Sequence, residues 1–498
     1  MSEVPRAPLG DLPAAELREQ LHRMADWVAD YRETVGQRAI VPAVRPGDLK
    51  KQTTPRMPER GEAMERIVAD IDAVVMPGIV HWGHPAFLGY FGSTSNGPAL
   101  LGEFAAAALN VSAMTWKTSP AATELEEVVL AWIRDLLGLP DDLFGIVYDT
   151  ASVATLHALA AARELAASGV RVRGLAGRDD VPVLCVYASD QAHSSIDKAM
   201  VMLGLGEKNV VRIPTDDAFR IGVRALQRAM ADDAARGYRA MAVVATIGTT
   251  STASVDAVAD VAAVARSFGA WLHVDAAYGG AMAALPEARW VVSGVEAADS
   301  IVINPHKWLF VPLDFSALYV KEPERLRAVF ANTPEYLRGD ATTSTDDAVV
   351  NYMDYGIQLG RRFRALKAWM VFRAFGSEGI ASRIREHVRL ARLFAEMVEG
   401  TADFVIVAPV TMAVVCFRCQ PAGLSEEETD TLNARIVQRV NTSGAAYLTH
   451  TELRGRTCMR VGIGNVQTTF ADVETAWNAV VQEACQLLQS SINNLDTD

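Results

Sequence analysis

Between Glu103 and about Glu378 the sequence switches repeatedly between short apolar runs and longer segments with helical spacing. That alternation predicts a mostly parallel sheet covered by helices on both faces. Parallel neighbours need a crossover connection, and strands buried on both sides read as unbroken apolar runs. Strands are predicted near Gly145–Tyr148, Val183–Tyr187, Ala242–Thr246, Ala270–Val274, Ser300–Ile303 and Ser316–Val320, with helices such as Val255–Phe268 between them. Ligands of such sheets collect beyond the carboxyl ends of the strands. The residues that follow these strands are Asp149-Thr150-Ala151-Ser152, Ser189 to His193, Gly248-Thr249-Thr250, Asp275, and Asn304 to Lys307, and the site is expected among them.

Two of these endings carry chemistry. The run Ser300-Ile301-Val302-Ile303-Asn304-Pro305-His306-Lys307-Trp308 places a lysine just after a buried strand, where desolvating an ammonium is costly. The same desolvation is useful when the amine must lose its proton and condense with a carbonyl. Taken alone, Lys307 reads as a surface lysine. Upstream, however, Ala270 to Gly280 is another apolar strand, and it ends in Asp275. A lysine for a Schiff base and an acid opposite a pyridinium nitrogen are the pair that a pyridoxal phosphate enzyme requires, and together they outweigh the bland reading. Thr150-Ala151-Ser152 opens the next helix; these residues serve either as a plain cap or as amides and hydroxyls aimed at a phosphate. Neither G-x-G-x-x-G nor a Walker lysine motif is present, which sets dinucleotide and P-loop readings aside.

Around this middle part the chain divides into a helical segment over 1–85, a large domain over 86–378 and a smaller α+β domain over 379–498. Residues Ala14 to Arg38 read as an amphipathic helix with Leu17, Leu21, Met24, Val28 and Tyr31 on one face, and a second helix runs from Glu62 to about Val75. Little nearby chain is available to bury these faces, so they are expected to pack on another domain or subunit. The last part has strands near Phe404–Val407 and Met412–Phe417 and a final helix over Asp472–Leu488.

At 498 residues, with 47 Lys plus Arg against 60 Asp plus Glu and a formal charge of −13, the chain is a poor partner for nucleic acid or an anionic membrane. No apolar run reaches membrane-spanning length, and Met1 to Leu12 lacks a basic-then-apolar signal pattern. Five cysteines suggest a reducing, cytoplasmic compartment. Cys416 and Cys419 form a CxxC within a strand pattern, where alternation puts the thiols on opposite faces. No second CxxC or His pair follows, so they read as structural and no metal is expected.

The motifs Ser119 to Glu126, Asp190 to Ser195, His273 to Tyr278, Asn304 to Trp308 and Gly360 to Arg364 occur in family order. On them the chain resembles, from about residue 14 to 485, the pyridoxal phosphate-dependent group II decarboxylases of the aromatic-L-amino-acid branch. The resemblance implies an aspartate-aminotransferase-type fold (fold type I) and a homodimer whose N-terminal helices embrace the partner. It implies decarboxylation of an aromatic amino acid: tryptophan, tyrosine, DOPA or phenylalanine. By position, Lys307 would carry pyridoxal 5'-phosphate, Asp275 would pair with its ring nitrogen and His193 would stack on its face. Thr150, Ala151, Ser152, Asn304 and His306 would surround the phosphate and ring edge, with Thr246, Ala277 and Gly360 also at the cofactor. Tyr336 matches the mobile-loop tyrosine that protonates the carbanion, within a lid expected over Asn332 to Ala348. Trp82, Tyr90, Phe91, Met114, His193 and Gly360 fall where the substrate pocket is built.

Departures accompany the likeness. Asp149 stands where the family often has glycine, Gly92 where proline is frequent, and Met114 replaces a common aromatic. Gly360 leans toward room for an indole ring. Similar enzymes that make aldehydes, by decarboxylation with oxidative deamination, typically carry phenylalanine at the Tyr336 position. Histidine and glutamate decarboxylases are further alternatives, and the aromatic wall argues against the second. A non-catalytic, cofactor-dependent regulator is disfavoured by the complete catalytic set.

Overall fold

The computed structural model describes residues 10–53, 56–92, 94–332 and 349–495. Seven strands form the central sheet: β1 (Phe144–Tyr148), β2 (Leu184–Ser189), β3 (Val210–Ile213), β4 (Arg239–Thr246), β5 (Trp271–Asp275), β6 (Ser300–Ile303) and β7 (Ser316–Val320). Their order is β1-β7-β6-β5-β4-β2-β3. The run from β6 to β3 is parallel throughout, and β7 is antiparallel to both of its neighbours. Strands β2, β5, β6 and β7 are buried along their whole length, as strands covered on both faces of a sheet must be.

All six strands predicted for this region form. The seventh, β3, was not predicted: Val210-Val211-Arg212-Ile213 is half exposed at the sheet edge and carries a charge in its middle. An edge strand is covered by less of the protein, so its sequence need not be an apolar run.

The second sheet has four antiparallel strands in the order β10-β11-β9-β8. Strands β8 (Phe404–Ile406) and β9 (Val414–Cys419) answer the two predicted strands. The hairpin of β10 (Thr449–Leu453) and β11 (Arg456–Gly462) was missed. Its two-residue turn, Arg454-Gly455, has positive φ at both positions (53° and 75°), the geometry that matches the twist of a tight hairpin. Polar β10 and the Arg460 within β11 hid the alternation.

Helix Ala14–Thr34 ends in a short 3-10 turn rather than reaching Arg38, and the second expected helix is Met64–Asp70 continued by a wider turn, Ile71–Val75. Helix Ala365–Glu399 joins the two sheets and breaks at Gly376, whose φ of 63° and ψ of 171° are non-helical. The last helix runs over Phe470–Leu495. No helix among the described residues is long and apolar enough to cross a membrane.

A buried ion pair fixes the floor of the large domain. Ser119 caps helix Pro120–Leu137 by accepting from the Ala122 amide. One turn further in, Glu126 accepts from the Arg361 guanidinium at 2.6 Å and from the Val147 amide of β1 at 3.0 Å. Arg361 also donates to the carbonyls of Val147 (2.8 Å) and Ala113 (3.0 Å). Two of the sequence motifs, Ser119–Glu126 and Gly360–Arg364, therefore meet on the strand that delivers Asp149 and Thr150.

Candidate active site

Strand ends build the site. A single cavity is lined by Thr150, Ala151 and Ser152 after β1, His193 after β2, and Thr246, Gly248 and Thr250 at and after β4. Asp275, Ala277 and Tyr278 at and after the end of β5 complete it with Asn304 and Lys307 after β6, and Phe91 closes it from an N-terminal stretch. Helix Ala151–Ala166 points its N-terminus at the cavity with Thr150 as the cap residue, so free amides and a partial positive charge face in.

Lys307 lies in the short helical turn Pro305–Trp308, with its amide donating to the Asn304 carbonyl at 2.9 Å. Its Nζ sits 4.9 Å from the centroid of the Phe91 ring, and the Arg460 guanidinium lies 4.7 Å from the same centroid. Desolvation holds the Lys307 ammonium below the usual lysine range; the Asp275 carboxylate opposes this and Arg460 adds to it. Asp275 is almost fully buried, and its Oδ1 accepts from the Ala277 amide at 3.1 Å.

His193 accepts at Nδ1 from the Ser195 amide at 3.1 Å, which leaves the proton on Nε2. Its ring is open to the cavity, yet its pKa is lowered, chiefly by desolvation, with Asp275 pulling the other way. Asn304 is held by Ser316, whose hydroxyl donates to Oδ1 at 2.6 Å. Under the sheet, His273 bridges Ser300 and Thr155 (2.9 and 3.2 Å), and burial pushes it down to about 4.

The chain matches the pyridoxal-dependent decarboxylase conserved domain over residues 46–420. It belongs to the pyridoxal-dependent decarboxylases. The decarboxylase is 38% identical to a phenylacetaldehyde synthase of Arabidopsis thaliana, over 96% of this chain and 98% of the relative. It is 37% identical to tyrosine decarboxylase 2 of the same plant, over 95% and 88%. Among solved structures, an Oryza sativa TDC with PLP and tryptamine superposes with a TM-score of 0.92 at 36% identity, covering 96% of this chain and all of that one.

The donor set fits the cofactor that the family name requires. Thr246 Oγ1 is buried, lines the cavity and has no partner among the described residues. A carboxylate, a lysine of lowered basicity and a helix N-terminus converge on one space, which suits a ring nitrogen, an aldehyde and a phosphate respectively.

Not every predicted site residue is gathered there. His306 is buried beneath the cavity, where its Nδ1 accepts from the Phe315 amide at 3.0 Å and burial pushes it down to about 3. Trp82 and Tyr90 do not line the cavity: they stack on each other at 5.4 Å and pack against Phe87 at 4.8 and 6.3 Å. Met114 and Gly360 do not line the cavity and lie close to each other: the Ala113 amide donates to the Arg361 carbonyl, and the Met353 amide donates to the Met114 carbonyl. Tyr336 and all of the expected lid except Asn332 fall outside the described residues. Cys416 and Cys419 are both buried in β9, and Cys416 donates to the Ser251 carbonyl at 3.1 Å.

Sequence reasoning missed two contributors. Tyr278 stacks between Phe91 (3.9 Å) and Trp308 (4.9 Å), extending the wall behind Lys307. Arg460 donates to the carbonyls of Tyr90 and Ser251 (2.7 and 3.0 Å), and the Ser251 hydroxyl pairs with that of Thr451 at 2.7 Å. The small sheet is thereby tied to the loop that carries Gly248 and Thr250. A lone arginine between apolar residues, Met459-Arg460-Val461, was the available signal.

Proposed function

We propose that this decarboxylase removes the carboxyl group of an aromatic L-amino acid, giving the arylalkylamine and carbon dioxide. The observation that carries the reading is the stack of Phe91 on Tyr278, which lines the cavity beside Lys307 and Asp275. Relatives named for tyrosine and tryptophan decarboxylation, and a neighbour holding tryptamine, support it.

Bound pyridoxal phosphate supplies a sink for the electron pair left on Cα as the carboxyl group departs. In this reading Lys307, kept short of full protonation by desolvation, attaches the cofactor. Asp275 holds a proton on the ring nitrogen. His193, whose ring lines the cavity, would face the cofactor ring and limit its tilt. Thr150, Ala151 and Ser152 take the phosphate, with Thr246, Ala277 and Asn304 at the ring. Buried His306 positions the Phe315 loop and so supports Lys307 from below. Tyr336 returns a proton to Cα, as a neutral phenol can.

Met114 and Gly360 are assigned to the pocket of a second copy, which makes the working unit a homodimer. Leu101, Phe104 and Leu109 support this by leaving an apolar face of helix Gly97–Leu109 uncovered, as does Leu17 on the first helix. In this reading the chain divides at 85/86 and 378/379, the second boundary lying beside the break at Gly376. Five unpaired cysteines favour a reducing, cytoplasmic setting.

The phenylacetaldehyde synthase relative favours a second reading, in which the decarboxylated substrate is oxidised to an aldehyde. One experiment tests both. Cofactor-loaded protein is incubated with a panel of amino acids, and carbon dioxide, amine, aldehyde and peroxide are quantified. Amine equal to carbon dioxide for tryptophan, tyrosine, DOPA or phenylalanine is expected. Aldehyde with peroxide would transfer the conclusion to the second reading, and turnover confined to glutamate or histidine would reject both.

A further inference from the structure

We propose that Asp149 sets how tightly the enzyme holds its cofactor, by fixing a negative charge at the end of the cavity assigned to the phosphate. This rests on the placement of the phosphate at Thr150–Ser152 proposed above. Asp149 follows β1 directly and precedes the cap of helix Ala151–Ala166. Its Oδ1 accepts from the Thr150 amide at 2.7 Å and from the Thr150 hydroxyl at 3.5 Å, while the Gln358 side-chain amide donates to Oδ2 at 3.4 Å. The carboxylate is thus steadied on both oxygens by neutral groups. Among the described residues no cation pairs with it.

A helix N-terminus attracts one anion through its free amides and its dipole. Here a carboxylate of the chain itself already takes the Thr150 amide. The described residues that line the cavity include no arginine, and Lys307 is their one lysine, committed to the aldehyde end in the proposed reading; Asp149 does not itself line the cavity but bonds to Thr150, which does. An incoming phosphate dianion therefore meets neutral hydroxyls and amides beside a fixed negative charge. Like charges a few ångströms apart at a partly solvated site repel, and dissolved salt screens that repulsion. The chain consequently grips its cofactor loosely, and its loaded fraction follows the supply of pyridoxal phosphate.

The test titrates the full-length protein, freed of cofactor, with pyridoxal phosphate and with pyridoxal, which lacks the phosphate, following tryptophan fluorescence. The substitution is Asp149→Asn, which keeps an acceptor for Thr150 and removes the charge. At low salt the variant is expected to bind pyridoxal phosphate about tenfold more tightly. The gap between variant and wild type should narrow as salt is raised, and pyridoxal affinity should change by less than about twofold. Equal or weaker binding by Asp149→Asn would overturn the proposal, as would an equal gain for pyridoxal, because repacking rather than charge would then be responsible. If the wild type bound neither compound, the assignment of the cavity itself would fall, a result distinct from the first two.

Discussion

Two phenylalanine-sized questions sit at single residues, and the sharper one concerns Tyr336. Its place in the sequence, in Thr333-Pro334-Glu335-Tyr336-Leu337, is the ground for making it the proton donor. Tyr336→Phe keeps the ring and removes the proton. Amine formation should fall by about 10²–10⁴-fold, the worth of a positioned general acid, while carbon dioxide release falls less and aldehyde with peroxide appears. Parallel loss of carbon dioxide and amine without peroxide would show that the residue does something other than donate. His157 poses the other question. It is fully buried on helix Ala151–Ala166 with neither ring nitrogen bonded to any described residue, packed edge-on against Tyr148 and Phe330 at 4.6 Å. Burial pushes it down to about 4. An apolar side chain of similar size would avoid the unmet hydrogen bonds, so nothing in its packing requires an imidazole.

At the scale of elements, the site depends on how β1 is clamped. The Arg361–Glu126 pair, with both side chains almost wholly buried, holds helix Pro120–Leu137, β1 and the 357–361 stretch together. Arg361→Met leaves the Glu126 carboxylate buried without its partner and should destabilise the fold by about 3–5 kcal/mol. Equilibrium denaturation measures this. The double variant Glu126→Gln with Arg361→Met should recover part of the loss, whereas additive losses would argue that the pair does not act as a unit. Gly248 and Gly279 show a second elemental constraint. A Cβ on Gly248, at φ 88°, would lie 2.7 Å from the Gly279 nitrogen, so the loop carrying Thr250 and the turn after Asp275 meet backbone to backbone.

Over the whole molecule, buried histidines dominate the response to acid. Burial holds His157, His273 and His387 near 4 and His306 near 3, against about 6.5 in an unfolded chain. Each group is neutral in both states above about pH 6.5 and contributes nothing there. Below that value the unfolded chain binds protons that the native one refuses, so stability falls as pH drops from about 6.5 towards 4. Asp256, raised by burial to about 6, works in the opposite direction and offsets one of the four. Thermal melts should therefore show Tm declining across this window, with a shallower decline for His157→Leu. Identical slopes for the two proteins would remove His157 from the account.

The parallel sheet was legible because strands covered on both faces must be apolar throughout, and the residues that bind ligands must follow them. For that reason Asp275, Asn304, Lys307, His193 and Thr150–Ser152 could be named from the chain alone, and the structure places all of them on one cavity. The edge strand β3 and the hairpin of β10 and β11 were not legible, because partial exposure relaxes the pattern and Arg460 interrupts it. His306 looked like a cavity residue from its neighbour Lys307, but a helical turn sends adjacent side chains in different directions, and it packs below. Tyr278 between Phe91 and Trp308, Arg460 on Tyr90 and Ser251, and the separation of Met114 and Gly360 from the cavity all depend on contacts between residues far apart in the chain. Local periodicity records whether a residue is covered, whereas its partner is decided only when the sheets and helices close upon one another.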